Sequence, residues 1–322
     1  MLKSKGILIF VVTISLLMLM FNFGFAAEKK FVAIATGGTG GTYYPVGGAL
    51  AQMLSNNIEG LIVTAQTGNA TIANCNLMGR GQIETGFTQA NATYWAYTGT
   101  GILEGKAPIT NLRGIASLYP EIIHIIVPKA SGINSIEDLR GKRVGVGAPN
   151  SGNVADAETI LNAHGITFGD IKAEFIDFNE TAQRLIDGQI DAGFTTGGYP
   201  VSSIINIATK RDIKLIPISD EMIDKLVSSV PYYGLAVIPA GIYRGVDTPT
   251  KTVATPALWT CAADLSPTLV YKMTKALWEH RDVLEKVHNK GKDITLETAL
   301  DGMCVPLHPG AELYYKEVGL IK

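Results

Sequence analysis

Glycines and hydroxyl side chains are concentrated in residues 37–45, whose sequence is Gly-Gly-Thr-Gly-Gly-Thr-Tyr-Tyr-Pro. An apolar, strand-like run precedes them at 31–35, and a helical pattern follows from Val46. Glycines let the backbone approach a ligand closely, and the first N–H groups of a helix have no intrahelical partners. The segment therefore indicates a cradle for an anion or a polar ligand. An ordinary strand-to-helix loop is the alternative.

Neither nucleotide binding nor catalysis is favoured by the motifs. Tyr43 stands where a dinucleotide fingerprint beginning at Gly38 needs its third glycine, and no Gly-Lys-Ser/Thr of a Walker loop follows. Ser151 lies outside any Gly-x-Ser-x-Gly sequence, and no Asp/His pair has a spacing that marks it as a partner. We therefore expect no enzyme activity and no cofactor.

A second strand–loop–helix arrangement surrounds Ser151, with a strand expected at 143–147 and a helix at 154–164. Elsewhere the pattern alternates. Strands are expected at 85–89, 113–128, 173–178, 192–196 and 213–218. Helices are expected at 70–78, 180–188, 200–209, 220–230, 267–287 and 310–318. This alternation predicts an α/β protein whose mainly parallel sheet carries helices on both faces.

Two apolar strands, near 122–128 and 233–239, are expected to connect two lobes. The predicted boundaries are 27–127 for lobe I, 128–234 for lobe II and 235–322 for the return to lobe I. Ligands of open parallel sheets bind beyond the carboxyl ends of the strands, where both glycine loops fall. The pattern therefore predicts a hinge with a ligand cleft between two doubly wound lobes.

The amino terminus has the pattern of a cleavable signal peptide at 1–26. Lys3 and Lys5 precede an apolar run at 7–21, and small residues precede Ala27. A retained membrane anchor is the alternative. Removing 26 of the 322 residues leaves 296, and the formal net charge changes from −2 to −4 as both lysines are lost. Because the chain has no basic run, nucleic acid is not expected as a partner. The signal-peptide pattern places the mature chain, as an expectation, in the periplasm.

The cysteines and histidines give no metal signal. Cys75, Cys261 and Cys304 lack CxxC spacing, and the five histidines lack ligand spacing. Because an exported chain tolerates disulfides, we expect one between Cys261 and Cys304, which both follow the return to lobe I. His124 lies inside an apolar run and is expected to be a hydrogen-bonded core residue.

Four segments resemble the TAXI family of extracytoplasmic solute receptors, which serve tripartite ATP-independent periplasmic (TRAP) transporters. They are the loop and helix from Gly38 onward, the Leu-Tyr-Pro-Glu step at 118–121, the Asp-Leu-Arg-Gly-Lys-Arg-Val turn at 138–144 and Pro-Leu-His-Pro-Gly-Ala at 306–311. The similarity extends over essentially the whole mature chain. One departure is Pro149-Asn150 ahead of Ser151, where a glycine is often found.

The resemblance implies a type II periplasmic-binding-protein fold and a monomeric receptor. Such a receptor captures a solute and delivers it to an integral membrane permease, usually one fused subunit, driven by an ion gradient. The same fold also serves sensory proteins that report to a membrane kinase or chemoreceptor, so sensing is the alternative function. An adjacent gene for a permease or for a receptor would distinguish them.

Most candidate ligand-binding residues come from loops at the carboxyl ends of strands, whereas Tyr119 and Glu121 lie where the first connecting strand is expected to begin. The candidates are Thr39, Gly40, Gly41, Thr42, Tyr43, Asn69, Gln89, Tyr119, Glu121, Asn150, Ser151, Gly152, Asn153, Gly198 and Tyr199. Asn69 is equally explained as a helix cap, and Glu121 as a solvated charge.

The expected ligand follows from the charges of these loops, which contain no arginine. Two helix starts suit carboxylate or amide groups at both ends of a small molecule, and Glu121 can accept an ammonium group between them. We therefore expect glutamate or glutamine first, and 2-oxoglutarate or another C4–C5 organic acid second.

Overall fold

The computed structural model describes residues 29–68 and 70–322. The predicted signal peptide, the predicted start of the mature chain at Ala27, and Asn69 lie outside the described residues. Within the described ranges, no helix is both long and apolar enough to cross a bilayer.

Strands and helices alternate along most of the chain. The strands are β1 (Lys30–Ala35), β2 (Leu61–Gln66), β3 (Thr85–Gln89), β4 (Leu112–Pro128), β5 (Arg143–Gly145), β6 (Lys172–Glu174), β7 (Ala192–Gly197), β8 (Ile213–Leu215), β9 (Gly234–Ile238) and β10 (Thr250–Ala262). The helices are α1 (Tyr43–Asn57), α2 (Thr71–Gly79), α3 (Ala90–Thr98), α4 (Gly152–Ala163), α5 (Phe178–Ile186), α6 (Ser202–Lys210), α7 (Asp220–Ser229), α8 (Pro267–Glu279), α9 (Asp282–Val287) and α10 (Pro309–Glu317).

One sheet runs through the fold in the order β2-β1-β3-β10-β4-β7-β5-β6, with β8 beside β4 and β9 beside β10. β1 pairs with β3 in parallel, and β5 pairs in parallel with both β6 and β7. We define lobe I as β1–β3 with the helices packed on them and α8–α10, and lobe II as β5–β7 with α4–α7. The α/β class predicted from the alternation is confirmed. The expectation of a mainly parallel sheet is wrong, because β4 and β10 pair antiparallel with each other and with β7, β8, β3 and β9.

The lobes are connected by β4 and β10, which pair antiparallel. β4 lies beside β10 over 112–122 and beside β7 over 122–126. β10 lies beside β9 over 250–254 and beside β3 over 257–261. The nearly continuous burial of β4 explains its long apolar run, since a strand covered on both faces needs no alternation of apolar and polar side chains.

The second connection differs from the one expected at 233–239. Those residues form β9, which pairs with β10 in an edge ribbon and leaves Leu235 63% and Val237 44% exposed. The strand that reaches lobe I is β10, later in the chain. The domain boundaries at 127/128 and 234/235 stay predictions.

Three other expectations are wrong in detail. The helix expected at 267–287 is broken at His280, whose backbone (φ −127°, ψ 20°) leaves helical geometry and lets Leu284 reach the lobe I core. The strand expected at 173–178 ends at Glu174, because Asp177 caps α5 by accepting from the Glu180 N–H. Cys75, Cys261 and Cys304 are all free thiols, since Cys261 packs in a different cluster from Cys304.

Candidate functional site

A cavity lies where the carboxyl ends of strands from both lobes meet. Its volume is about 60 Å³, on a scale where roughly 10–15 Å³ holds one water molecule. The lining residues are Gly37, Gly38, Gly40, Gly41, Thr42, Tyr43, Gly68, Ala70, Gln89, Glu121, Ala148, Ser151, Asn153, Asp177, Phe178, Asn179 and Thr196. The cavity therefore has room for a small molecule only.

Eight candidates from the sequence line this cavity together: Gly40, Gly41, Thr42, Tyr43, Gln89, Glu121, Ser151 and Asn153. Gly152 lies directly behind them, where an added Cβ would overlap the Gln89 amide. The two glycine loops, separated by more than 100 residues in sequence, thus face one another. The structure does not test whether these residues bind a ligand.

The first loop is fixed to lobe II at the start of α1. The Thr42 hydroxyl donates to the Gly198 carbonyl at 2.8 Å, and the Ser203 N–H donates to the Gly40 carbonyl at 3.1 Å. A Cβ on Gly40 would overlap the Asn179 carboxamide, which would have to turn away, so glycine favours this approach. The lobes are therefore in direct contact around the cavity.

The second loop begins α4. The Ser151 hydroxyl oxygen accepts from the Val154 N–H at 3.2 Å and caps the helix. Asn153 is engaged on every side-chain atom: its nitrogen donates to the Val146 and Phe194 carbonyls, and its oxygen accepts from the Thr196 N–H. Asn153 thus holds α4 against β7, while the Ser151 proton has no acceptor among the described residues.

Glu121 is the buried acid of the cavity, with 3% of its surface exposed. The Tyr43 hydroxyl donates to its Oε2 atom at 2.6 Å. Burial raises the pKa of Glu121 well above its ordinary value; the Tyr43 hydrogen bond opposes this rise, and the negative charge of Asp156 adds to it. The solvated-charge alternative for Glu121 is therefore wrong.

Asp156, on α4, was not among the residues nominated from the sequence. It is fully buried, and its carboxylate accepts hydrogen bonds from four side chains, at 2.6–2.9 Å. The donors are Gln89, Asn91, Thr196 and Tyr233. Burial raises the pKa of Asp156, and the four hydrogen bonds oppose the rise. An acid on the apolar face of a predicted helix was the available sequence signal.

Asp177, Phe178 and Asn179, at the start of α5, line the cavity at its exposed side. The first two residues fall within the strand expected at 173–178. The Asn179 side-chain nitrogen donates to the Thr39 hydroxyl at 3.0 Å, which links the lobes at the exposed rim. The predicted contact residue Thr39 thus lies at the entrance, outside the cavity lining.

Four predicted residues lie away from the cavity lining. Asn150 is exposed, with a φ of 61°, and its carbonyl accepts from the Ala73 N–H. Tyr119 lines a separate groove behind the connecting strands. Gly198 and Tyr199 join the lobes from behind the first loop, where the Lys290 ammonium lies 4.0 Å from the Tyr199 ring centre. Asn150, Gly198 and Tyr199 lie in the loops expected from the sequence, and Tyr119 lies within β4. The sequence did not show the direction in which these residues face.

The architecture is that of a two-lobed α/β protein with a cavity between the lobes. The chain belongs to the NMT1-like family, whose model matches residues 34–319.

Solved structures support the same fold. A protein of Bordetella bronchiseptica RB50 shares 18% identity at a TM-score of 0.56, covering 89% of this chain and 83% of that one. The alkanesulfonate-binding protein of Xanthomonas axonopodis pv. citri, bound to MOPS, shares 14% identity at a TM-score of 0.51, covering 92% of this chain and 96% of that one. An ancestral arginine-binding protein, bound to arginine, shares 18% identity at a TM-score of 0.50, covering 82% of this chain and 98% of that one. The fold is accordingly that of type II periplasmic binding proteins.

Proposed function

We propose that this protein is an extracytoplasmic receptor for a small amino acid or organic acid. Glutamate or glutamine is the first choice, and 2-oxoglutarate or another C4–C5 acid the second. The observation that carries the proposal is the buried Glu121 carboxyl group, in a cavity that also receives the starts of α1 and α4. A ligand with an ammonium group between two polar ends fits this arrangement.

The helix starts supply donors for the polar ends of the ligand. α1 and α4 each leave their first N–H groups without intrahelical partners, and their dipoles favour negative charge by roughly 0.3–2 kcal/mol per end. The Ser151 hydroxyl adds one donor, because its oxygen accepts from the Val154 N–H and no residue that the structure describes accepts its proton. Among the described residues that line the cavity, none is lysine or arginine. A carboxylate would therefore be held by neutral donors.

The remaining side chains offer acceptors. The hydroxyl protons of Thr42, Tyr43 and Thr196 are already donated to protein oxygens. Glu121 and Asp177 are acids that line the same cavity. A ligand that satisfies these oxygens must bring its own N–H donors, which an ammonium group does. This favours an amino acid over an oxo-acid.

The partner and compartment follow from the family resemblance. We propose export by a cleaved leader, a monomeric receptor in the periplasm and delivery of the solute to a TRAP-type permease, usually a fused subunit, driven by an ion gradient. The structural neighbours at TM-scores of 0.50–0.56 support the receptor fold alone.

Two experiments test this function. Mass spectrometry of the small molecule released on denaturing freshly purified protein should find an amino acid, with glutamate or glutamine expected. Titration calorimetry on ligand-free protein should then give saturable binding of that amino acid, and weaker binding of 2-oxoglutarate. Binding of neither acid, with a folded protein, would refute the proposal.

A further inference from the structure

Phe178 covers the exposed side of the cavity with an aromatic ring. It lines the cavity from the start of α5 in lobe II, while Gly41 lines it from the first glycine loop in lobe I. Two carbons of the Phe178 ring lie 3.2 Å from the position that a Cβ on Gly41 would occupy, so the ring packs against the Gly41 backbone. A side chain of lobe II thus reaches lobe I at the cavity wall.

The residues on either side of Phe178 hold its backbone in place. The Asp177 carboxylate caps α5 by accepting from the Glu180 N–H at 2.9 Å. The Asn179 side-chain nitrogen donates to the Thr39 hydroxyl at 3.0 Å, which ties the same turn to lobe I. The start of α5 is therefore fixed beside the first glycine loop, and the Phe178 ring lies there by packing alone.

The buried walls of the cavity are held by hydrogen bonds and leave little freedom to enlarge it. Tyr43 donates to Glu121 at 2.6 Å, and every polar side-chain atom of Asn153 is hydrogen-bonded. Of the described lining residues that are half-buried or exposed, Phe178 alone has a large apolar side chain, since the others are glycine, alanine or polar. The room on the exposed side therefore depends on the size of the Phe178 ring.

We propose that the Phe178 ring sets the upper size limit of the ligand and is thus a specificity-determining residue of this cavity. This inference rests on the proposed function, because it concerns the same cavity. A five-carbon amino acid fits beside the ring, whereas a longer acid must displace it. In an apolar pocket, one extra methylene group changes affinity by about 10–200-fold. The ring thereby rejects the six-carbon homologue of glutamate.

Two acids that differ by one methylene group test this limit. L-Glutamate and L-2-aminoadipate carry the same charged groups and differ only in length. Calorimetry gives the ratio of their dissociation constants, 2-aminoadipate over glutamate, for wild type, Phe178→Ala and Phe178→Val. We expect a wild-type ratio of about ten or more. The ratio should fall about tenfold or more in Phe178→Ala, and by a smaller factor in Phe178→Val.

Phe175→Ala is the matched control for these variants. Phe175 belongs to the same stretch of chain, is 47% exposed and packs edge-to-face on Phe168 with 5.5 Å between the ring centres. It lies outside the cavity lining. Its ratio of dissociation constants should therefore equal that of the wild type.

The outcomes separate this inference from the proposed function. If wild-type protein binds neither glutamate nor 2-oxoglutarate, the proposed function and this inference both fail. If it binds 2-oxoglutarate alone, 2-oxoadipate replaces 2-aminoadipate in the same comparison. If wild type prefers glutamate but Phe178→Ala weakens both acids equally, Phe178 only supports closure of the lobes and the size limit is wrong. Equal binding of both acids by wild type would also overturn it, as would an unchanged ratio in Phe178→Val, which stays interpretable even if Phe178→Ala does not fold.

Discussion

The Tyr43 hydroxyl donates a hydrogen bond to Glu121 Oε2 over 2.6 Å, with both side chains buried. This bond joins the first turn of α1 to the connecting strand β4, two elements that are far apart in the sequence. It also ties the charge of the cavity's buried acid to the first glycine loop.

Replacing Tyr43 by Phe should weaken glutamate binding. The bond favours the charged form of Glu121, so its loss raises the pKa of that carboxyl further and weakens an ammonium contact. Since hydrogen bonds to charged groups are worth about 1.5–3 kcal/mol, we expect at least about a tenfold loss of affinity by calorimetry. Tyr44→Phe is the control, because Tyr44 is 37% exposed. Equal affinities for both variants would contradict the role of this bond.

Gly152→Ala should impair closure of the lobes. A Cβ there would overlap the Gln89 amide, whereas a Cβ on Gly48 would meet nothing within 4 Å. With saturating glutamate, small-angle scattering should give a smaller radius of gyration for wild type and Gly48→Ala, and a larger one for Gly152→Ala. Gly48→Ala should also stabilise α1 by about 0.5–1 kcal/mol. Normal compaction of Gly152→Ala would show that the Gln89 contact does not limit closure.

The pH dependence of the free energy of unfolding should show a contribution from His124. The prediction that this residue is buried and hydrogen-bonded in the core is confirmed. Its Nδ1 atom lies 3.1 Å from the Thr195 carbonyl and its Nε2 atom 3.0 Å from the Tyr243 hydroxyl. The Thr195 carbonyl oxygen can only accept a hydrogen bond, so the proton of the neutral His124 ring is assigned to Nδ1. Burial lowers the pKa of His124 to about 4.

The folded state therefore disfavours the charged ring, and His124 contributes stability above its unfolded pKa of about 6.5 that is lost as the pH falls toward 4. The shift corresponds to roughly 3 kcal/mol. Denaturant unfolding of wild type and His124→Gln between pH 7.5 and pH 4 should show the two free energies of unfolding converging by about that amount. A difference between the two free energies of unfolding that stays constant across this range would contradict the lowered pKa of His124. Glu121 and Asp156, whose pKa values are raised, change stability in the opposite direction, but they do so in both proteins and therefore cancel in the comparison.

The sequence was sufficient for features that depend on local pattern. Both glycine loops follow strands and open helices, so Thr42 and Ser151 were placed at helix starts without any knowledge of the tertiary fold. The β3 strand lies at the predicted residues, 85–89. Glu121 was nominated because it lies where the first connecting strand was expected to begin, although its burial could not be inferred.

Features that depend on contacts between the lobes were not predictable in this way. The donors to Asp156 come from β3, α3, β7 and the turn before β9, and nothing in its local sequence identifies Gln89 or Tyr233 as its partners. The segment at 177–179 was missed because the end of β6 depends on the cap formed by Asp177. The direction of Tyr119 depends on an irregularity in the pairing of β4 with β10, which no local pattern specifies.

The central claim is that the Glu121 carboxylate binds an ammonium group of the ligand. Calorimetry with Glu121→Gln tests this claim most directly. The substitution keeps the shape of the side chain and removes its negative charge. We expect glutamate affinity to fall at least tenfold, while 2-oxoglutarate, which lacks the ammonium group, binds as well as or better than it binds wild type. Equal losses for the two acids, or undiminished glutamate binding, would contradict the account.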